Sequence, residues 1–189
     1  MRQPLILASS SPRRRELLSR VGLPYEIFVP DVDESCALPA DQAVLELSRR
    51  KAHAVSALHP RRYTLAADTL VSVDGQILGK PADVPDARRM LHLLSGRTHD
   101  VFTGVTLIST SGDIFSGLDS SRVTFSSMTD ADIDAYIATG EPMDKAGAYA
   151  VQGAASFWIH RLEGSPSGVI GLPLDLVRRL LLQSGYFNE

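Results

Sequence analysis

The stretch from Thr64 to Leu78 does most to limit what this chain can fold into. Thr64–Val73 is a long apolar, strand-like run, Asp74-Gly75 is a two-residue hairpin turn, and Gln76–Leu78 is the returning strand. A second β-rich pair, residues 100–110 and 113–125, is joined at Ser111-Gly112. Everywhere else strands alternate with helices. Residues 4–8 (PLILA) read as a buried strand, Ser11-Pro12 as the start of a helix and Gly22 as its stop, and residues 25–29 as a second strand. Asp41 is expected to cap a helix reaching about Leu58, and Asp83 one running from about Pro85 to Leu94. The run Thr129-Asp-Ala-Asp132 resembles a capping box for a helix ending at Thr139-Gly140. A loop over 141–153, a strand over 156–162, a Gly/Ser/Pro loop and a helix over 173–183 close the chain. The interleaving predicts an α/β fold. The two hairpins require a mixed central sheet with flanking helices and exclude a purely parallel, doubly wound one.

At 189 residues, with 44% hydrophobic and 22% charged, the chain has the size of one domain or of two intimate lobes, and residues 1–189 are read as a single domain. A net charge of -3 leaves no basic field for sequence-independent nucleic-acid binding. Cys36 has no partner for an internal disulfide, and the apolar stretches fall short of the roughly 18 residues a membrane span needs. Residues 1–4 lead straight into the first strand without a signal-peptide h-region. The expectation is a soluble, reduced, cytoplasmic protein without membrane or nucleic-acid partners.

The basic residues divide unevenly, into 16 Arg and only Lys51, Lys80 and Lys145. Where surface cations are otherwise arginines, a lysine marks a place suited to a compact ammonium on a flexible stem, unless composition alone accounts for it. Lys51 lies inside the apolar stripe Val44, Leu47, Ala54, Val55, Leu58 of its helix, where a lysine calls for an anion or a snorkelling stem. Continuing the 73–76 register of the hairpin sets Lys80 opposite Thr69, with a bulge at Gly79 able to change its facing. Ser11 opening a helix whose first turn holds Arg13 and Arg14 suits an anion, although a capped helix with solvated arginines reads equally well. Asp68 interrupts an otherwise apolar strand, and a buried carboxylate there must be paired, protonated or bound to a metal. With Glu34 and Asp144 it makes a hard-cation site conceivable, and a structural Asp remains the alternative. The five histidines, at 53, 59, 92, 99 and 160, lack metal-ligand spacing, and neither a P-loop nor a dinucleotide fingerprint occurs.

Taken together, Leu7-Ala-Ser-Ser-Ser-Pro-Arg-Arg-Arg-Glu-Leu-Leu18, Ala66-Ala-Asp-Thr-Leu70, Gly79-Lys-Pro81, Ser95-Gly-Arg-Thr-His99 with Thr103-Gly-Val105, YIATGEPMDKAGAYAVQG over 136–153, and Gly171-Leu-Pro-Leu174 resemble the Maf family of nucleoside triphosphate pyrophosphatases. The resemblance spans nearly the whole chain, in order. It implies an inosine-triphosphatase-like architecture of two lobes around a cleft, a homodimer, and Mg2+- or Mn2+-dependent cleavage of a nucleoside triphosphate between its α and β phosphates. The DKAGAY-x-x-QG form looks like the dTTP/UTP branch rather than the methylated-GTP branch. The dTTP/UTP branch implies Asp68 as catalytic base, with Arg13, Thr69 and Gln152 setting specificity. The residues read by themselves add Asp68 and Glu34 toward the metal, and Ser11, Arg13, Arg14, Lys51, Lys80, Asp144 and Lys145 toward substrate. Maf-like proteins have also been regarded as nucleotide-binding inhibitors of septum formation. Two departures stand out. Gly164-Ser-Pro166 replaces the common GSY, removing an aromatic, and Leu70 stands where a β-branched residue is usual.

Overall fold

The computed structural model describes residues 3–188, so Met1, Arg2 and Glu189 lie outside the described residues, and with them part of the 1–4 lead-in. In chain order the elements are β1 (Leu5–Leu7), α1 (Pro12–Arg20), β2 (Tyr25–Ile27), α2 (Ala40–Leu58), β3 (Thr64–Val73), β4 (Gln76–Leu78), α3 (Val84–Leu94), β5 (Thr98–Ile108), β6 (Ile114–Phe125), α4 (Asp130–Ala138), β7 (Ile159–Glu163), α5 (Pro166–Ile170) and α6 (Leu174–Gln183). Short 3-10 turns occupy Glu141–Asp144, Ala146–Ala148, Ala154–Trp158 and Tyr186–Asn188. The strands form one mixed sheet in the order β2-β1-β3-β5-β6-β7, with β4 on β3. β1 runs parallel to β2 and β3, and every other pairing is antiparallel. No helix among the described residues is long and apolar enough to cross a membrane.

β3 determines where a cleft can form. One of its edges is paired with β5 from Thr64 to Ser72. The other edge carries β1 only at Thr64 and Leu65 and β4 only at Val71 to Val73, so residues 66–70 have no strand beside them on that side. The gap lies past the carboxyl end of a parallel strand, where the chain turns into a helix, the usual location of ligand crevices in open α/β sheets.

The two faces of the sheet are covered differently. Ile6, Ala8, Ala66 and Ile108 pack beneath α2 on one face. On the other, Leu65, Ala67, Val105 and Leu107 pack with α1 and α6, whereas Val71, Val73 and Val101 pack with α3, α4 and Tyr149. The two lobes therefore have separate cores but share β3 and β5, with Asp68 and Thr69 at the boundary.

Gly104, paired with Asp68 in the β3–β5 ladder, seats α2 on the sheet. A methyl group there would run into the Val44 carbonyl of α2. Gly104→Ala is expected to cost about 1–3 kcal/mol through overpacking, a fall in melting temperature of roughly 2–12 °C at this chain length. Thermal unfolding reads this directly, and an unchanged midpoint would mean that α2 lifts freely from the sheet.

Three local expectations are corrected. Asp41 is not the cap of α2: Pro39, in an extended conformation, precedes the first turn, and Asp41 sits inside that turn near the positive helix end. The Gly/Ser/Pro loop contains α5, whose cap Ser165 accepts from Gly168 N and whose first residue is Pro166. The strand expected from 156 begins only at Ile159, because Ala154–Trp158 coils into a 3-10 turn.

Candidate active site

A cavity of about 550 Å³ opens at the uncovered edge of β3, within the range of small-ligand sites. Its wall is built by the turn from β1 into α1, the loop before α2, the Gly79-Lys80 segment after β4 and the 144–152 loop. Each of Ser11, Arg13, Arg14, Glu34, Lys51, Asp68, Thr69, Lys80, Asp144, Lys145 and Gln152 lines it.

Lys51 answers the question its apolar stripe raises. Its Nζ lies 2.5 Å from Asp68 Oδ1 and 2.7 Å from Glu34 Oε1, so one ammonium bridges two carboxylates. The Lys51 and Asp68 side chains are only 8% and 10% exposed, while Glu34 is 61% exposed. Burial pushes the Glu34 carboxyl up, but the hydrogen bond and charge of Lys51, with the charges of Lys80 and Arg14, outweigh it and hold the group below its ordinary value. The Glu34 carboxylate thus stays available as an anionic oxygen donor at the cleft, with the Asp68 carboxylate beside it on the same ammonium.

Arg14 is engaged on three sides. Its Nε donates to Gly171 O at 2.8 Å, Nη1 to Ser9 Oγ at 3.2 Å and Nη2 to Thr69 Oγ1 at 3.4 Å. Thr103 Oγ1 donates to Gly168 O at 2.9 Å, so at the 2.9 Å contact between the two threonines Thr69 is the donor. Arg14, Thr69 and Thr103 therefore tie the Ser-rich turn to α5 through the middle of β3 and β5. Burial lowers the Arg14 pKa, with Asp68 and Glu34 opposing and Arg13 adding to the fall.

Lys80 does not continue the hairpin ladder, which ends at the Val71–Leu78 pair. Gly79 turns away instead, its carbonyl accepting from Gly147 N at 3.0 Å, and this couples the Lys80 segment to the opposite loop. On that loop Lys145 pairs with Asp144, and Arg13 stands 3.8 Å from Asp144. Burial raises the Asp144 pKa, but Lys145 and Arg13 bring it below the ordinary value. Ser11 occupies the cap position of α1 without a side-chain capping bond, its own N–H donating to Ser9 Oγ at 3.1 Å.

Thr103 and Tyr149 are the cleft-building residues that sequence reasoning left without a role. Both lie within the quoted motifs, but a small hydroxyl and an aromatic carry no chemical signature by themselves. Tyr149 lines the cleft, and its OH lies 2.8 Å from Nε2 of the buried His99. Burial lowers the His99 pKa to about 4, so this imidazole is a neutral prop beneath the wall.

A family model described as Maf-like protein matches residues 4–184. A protein of Symbiobacterium thermophilum named dTTP/UTP pyrophosphatase is 48% identical over 187 residues, covering 97% of this chain and 95% of its own. One of Sphingopyxis alaskensis with the same name is 50% identical over 185 residues, covering 96% of each. In fold, the chain is similar to a HAM1 protein from Coxiella burnetii, with a TM-score of 0.52 at 13% identity over 95% of this chain and 98% of that one. The Staphylococcus aureus Ham1 protein gives a TM-score of 0.50 at 10% identity over 96% and 99%. The last two likenesses concern the mixed α/β architecture alone. With a family match from residue 4 to residue 184 and relatives close to half identical along their whole length, the chain belongs to the Maf family.

Proposed function

We propose that this chain hydrolyses dTTP and UTP to the nucleoside monophosphate and pyrophosphate. One observation carries the reading: a single cleft joins a buried carboxylate, Asp68, to a ring of cations and to the neutral amide of Gln152, in a chain whose relatives bear that activity in their names. Arg13, Lys51, Lys80 and Lys145 supply positive charge to a triphosphate, which otherwise repels an incoming nucleophile. Arg14 holds the Ser-rich turn in place. Asp68 Oδ1 is held by Lys51, and among the described residues no hydrogen bond is made to Oδ2, which is the oxygen assigned to take the proton from the attacking water. Gln152 offers a donor and an acceptor to a pyrimidine edge.

The donor set also fits a divalent cation. Asp68 and Glu34 are hard oxygen ligands that already converge on one positive charge. Two carboxylates are a donor number that Mg2+ accepts, its shell being completed by phosphate oxygens and water. Asp68 and Glu34 are therefore the residues that would hold Mg2+ or Mn2+; such an ion, when bound, neutralises phosphate charge and acidifies water. The reading extends to a cytoplasmic homodimer that works without nucleic acid or membrane, a view the net charge of -3 supports as far as nucleic acid is concerned.

The test is a panel of dTTP, UTP, GTP and methylated GTP with Mn2+, following pyrophosphate release. The pyrimidine nucleotides are expected to lead by about tenfold or more, and Gln152→Leu to narrow that lead without changing the fold. A preference of that size for GTP or its methylated form would overturn the pyrimidine assignment. Tight nucleotide binding without pyrophosphate release would make the chain a binder instead.

A further inference from the structure

The turn that carries Gln152 is short, closed by Gly153 N donating to Ala150 O at 3.0 Å. Both of its ends lead to one side chain, Glu141, which does not line the cleft. At the near end Ala150 N donates to Tyr136 Oη at 3.1 Å, and the Tyr136 hydroxyl donates to Glu141 Oε1 at 2.6 Å. At the far end Ala154 N donates to Glu141 Oε2 at 3.2 Å. Gly153 makes room for this bracket, since a methyl group there would overlap the Glu141 carboxylate. Tyr136 is itself fixed: it is buried on α4, its ring lies against Trp158, and burial together with the bond to Glu141 raises its pKa so that it stays a donor.

We propose that Glu141, acting directly and through Tyr136, is a positioning residue for substrate selectivity, holding the turn 150–153 so that the Gln152 amide meets the base. The proposal rests on the reading of Gln152 given above. Its physical basis is that a carboxylate accepts at both oxygens, whereas an amide accepts at only one. Glu141→Gln can accept at only one of the two positions: its NH2 then faces either the Ala154 N–H, donor to donor, or a Tyr136 hydroxyl that already accepts from Ala150 N and loses its own acceptor, which weakens the bracket and lets the turn shift while the cations facing the phosphates remain where they are. Small displacements of a positioning group are costly to recognition.

The experiment measures kcat and KM for dTTP and GTP with Mn2+ on the full chain, for wild type, Glu141→Gln and Thr129→Ala. Thr129 caps α4, the helix that bears Tyr136, through a capping box with Asp132 that does not involve the turn. Glu141→Gln is expected to lower the dTTP-over-GTP preference in kcat/KM by about tenfold, chiefly through KM for dTTP, with kcat within about threefold of wild type. Thr129→Ala is expected to lower the melting temperature and leave the preference intact. An unchanged preference in Glu141→Gln, or a proportional loss on both nucleotides like that of a merely destabilised protein, overturns the proposal. If Glu141→Gln does not fold, Tyr136→Phe, which removes the arm to Ala150 and keeps the ring, is read in the same assay, and an unchanged preference there overturns it equally. A wild-type chain with no preference for dTTP defeats the underlying reading of Gln152 and the proposal with it, and is recognised before any variant is measured.

Discussion

Asp68→Asn is expected to lower dTTP turnover by about 10²–10⁴-fold, the usual cost of losing a general base, while the protein stays folded and continues to bind nucleotide. The side chain is nearly isosteric, and its oxygen can still accept from Lys51 at the position now 2.5 Å away. Lys51 also keeps Glu34 as an ion-pair partner. What the amide cannot do is take a proton from water. A purely structural Asp68 would give the opposite pattern, a lower melting temperature with an active surviving fraction. Measuring the melting temperature and pyrophosphate release on one preparation separates the two, and near-normal turnover per folded molecule would remove Asp68 from the chemistry.

Lys51→Met is the substitution expected to cost most in stability. Glu34, largely exposed, can turn to water when the ammonium is lost, but Asp68 cannot. Leaving a buried carboxylate without its partner costs about 3–5 kcal/mol, or a fall in melting temperature of roughly 6–20 °C at this length. By contrast the exposed Arg20–Glu16 pair on α1 belongs to a class worth about 0.3–0.5 kcal/mol. Lys51→Arg keeps the charge but brings a planar fork where an ammonium fits between two carboxylates, so turnover is expected to fall in it as well. Thermal unfolding of both variants beside wild type is the check. A Lys51→Met protein that melts with wild type would mean that the bridge contributes nothing net.

The parts of the fold that the sequence announces are those set by short-range chemistry. Asp74-Gly75 correctly implies the Val73–Gln76 pair, and the Thr129 to Asp132 capping box is present in full. An apolar stripe broken by one lysine and an apolar strand broken by one aspartate each signal a buried charge. That the two charges meet is a tertiary fact, decided by how closely Gly104 lets α2 approach the sheet. Lys80 shows the limit of extrapolation. Two-residue register predicts it opposite Thr69, but the ladder stops at Leu78 because the Gly79 carbonyl is claimed by Gly147 from a loop far along the chain. Arg14 likewise reads as a free cation in a first turn, whereas Gly171, Ser9 and Thr69 occupy its donors. The five-residue α5 escapes notice because its Gly/Ser/Pro composition is that of a loop, and only the Ser165 cap and the threonine relay give it a purpose.

The passage of β3 and β5 through both lobes bears on how the cleft can move. Nine consecutive paired positions, from Thr64–Ile108 to Ser72–Asp100, cross the boundary without interruption. A hinge between the lobes would have to bend or break that ladder at Asp68 and Thr69, which opposes a clamshell opening. The two walls, the segment bearing Glu34 and the one bearing Asp144 to Gln152, are loops and short turns outside that ladder. Asp68, to which we assign the chemistry, thus sits inside an unbroken ladder, whereas Gln152, to which we assign the base, is carried by a short turn at the margin.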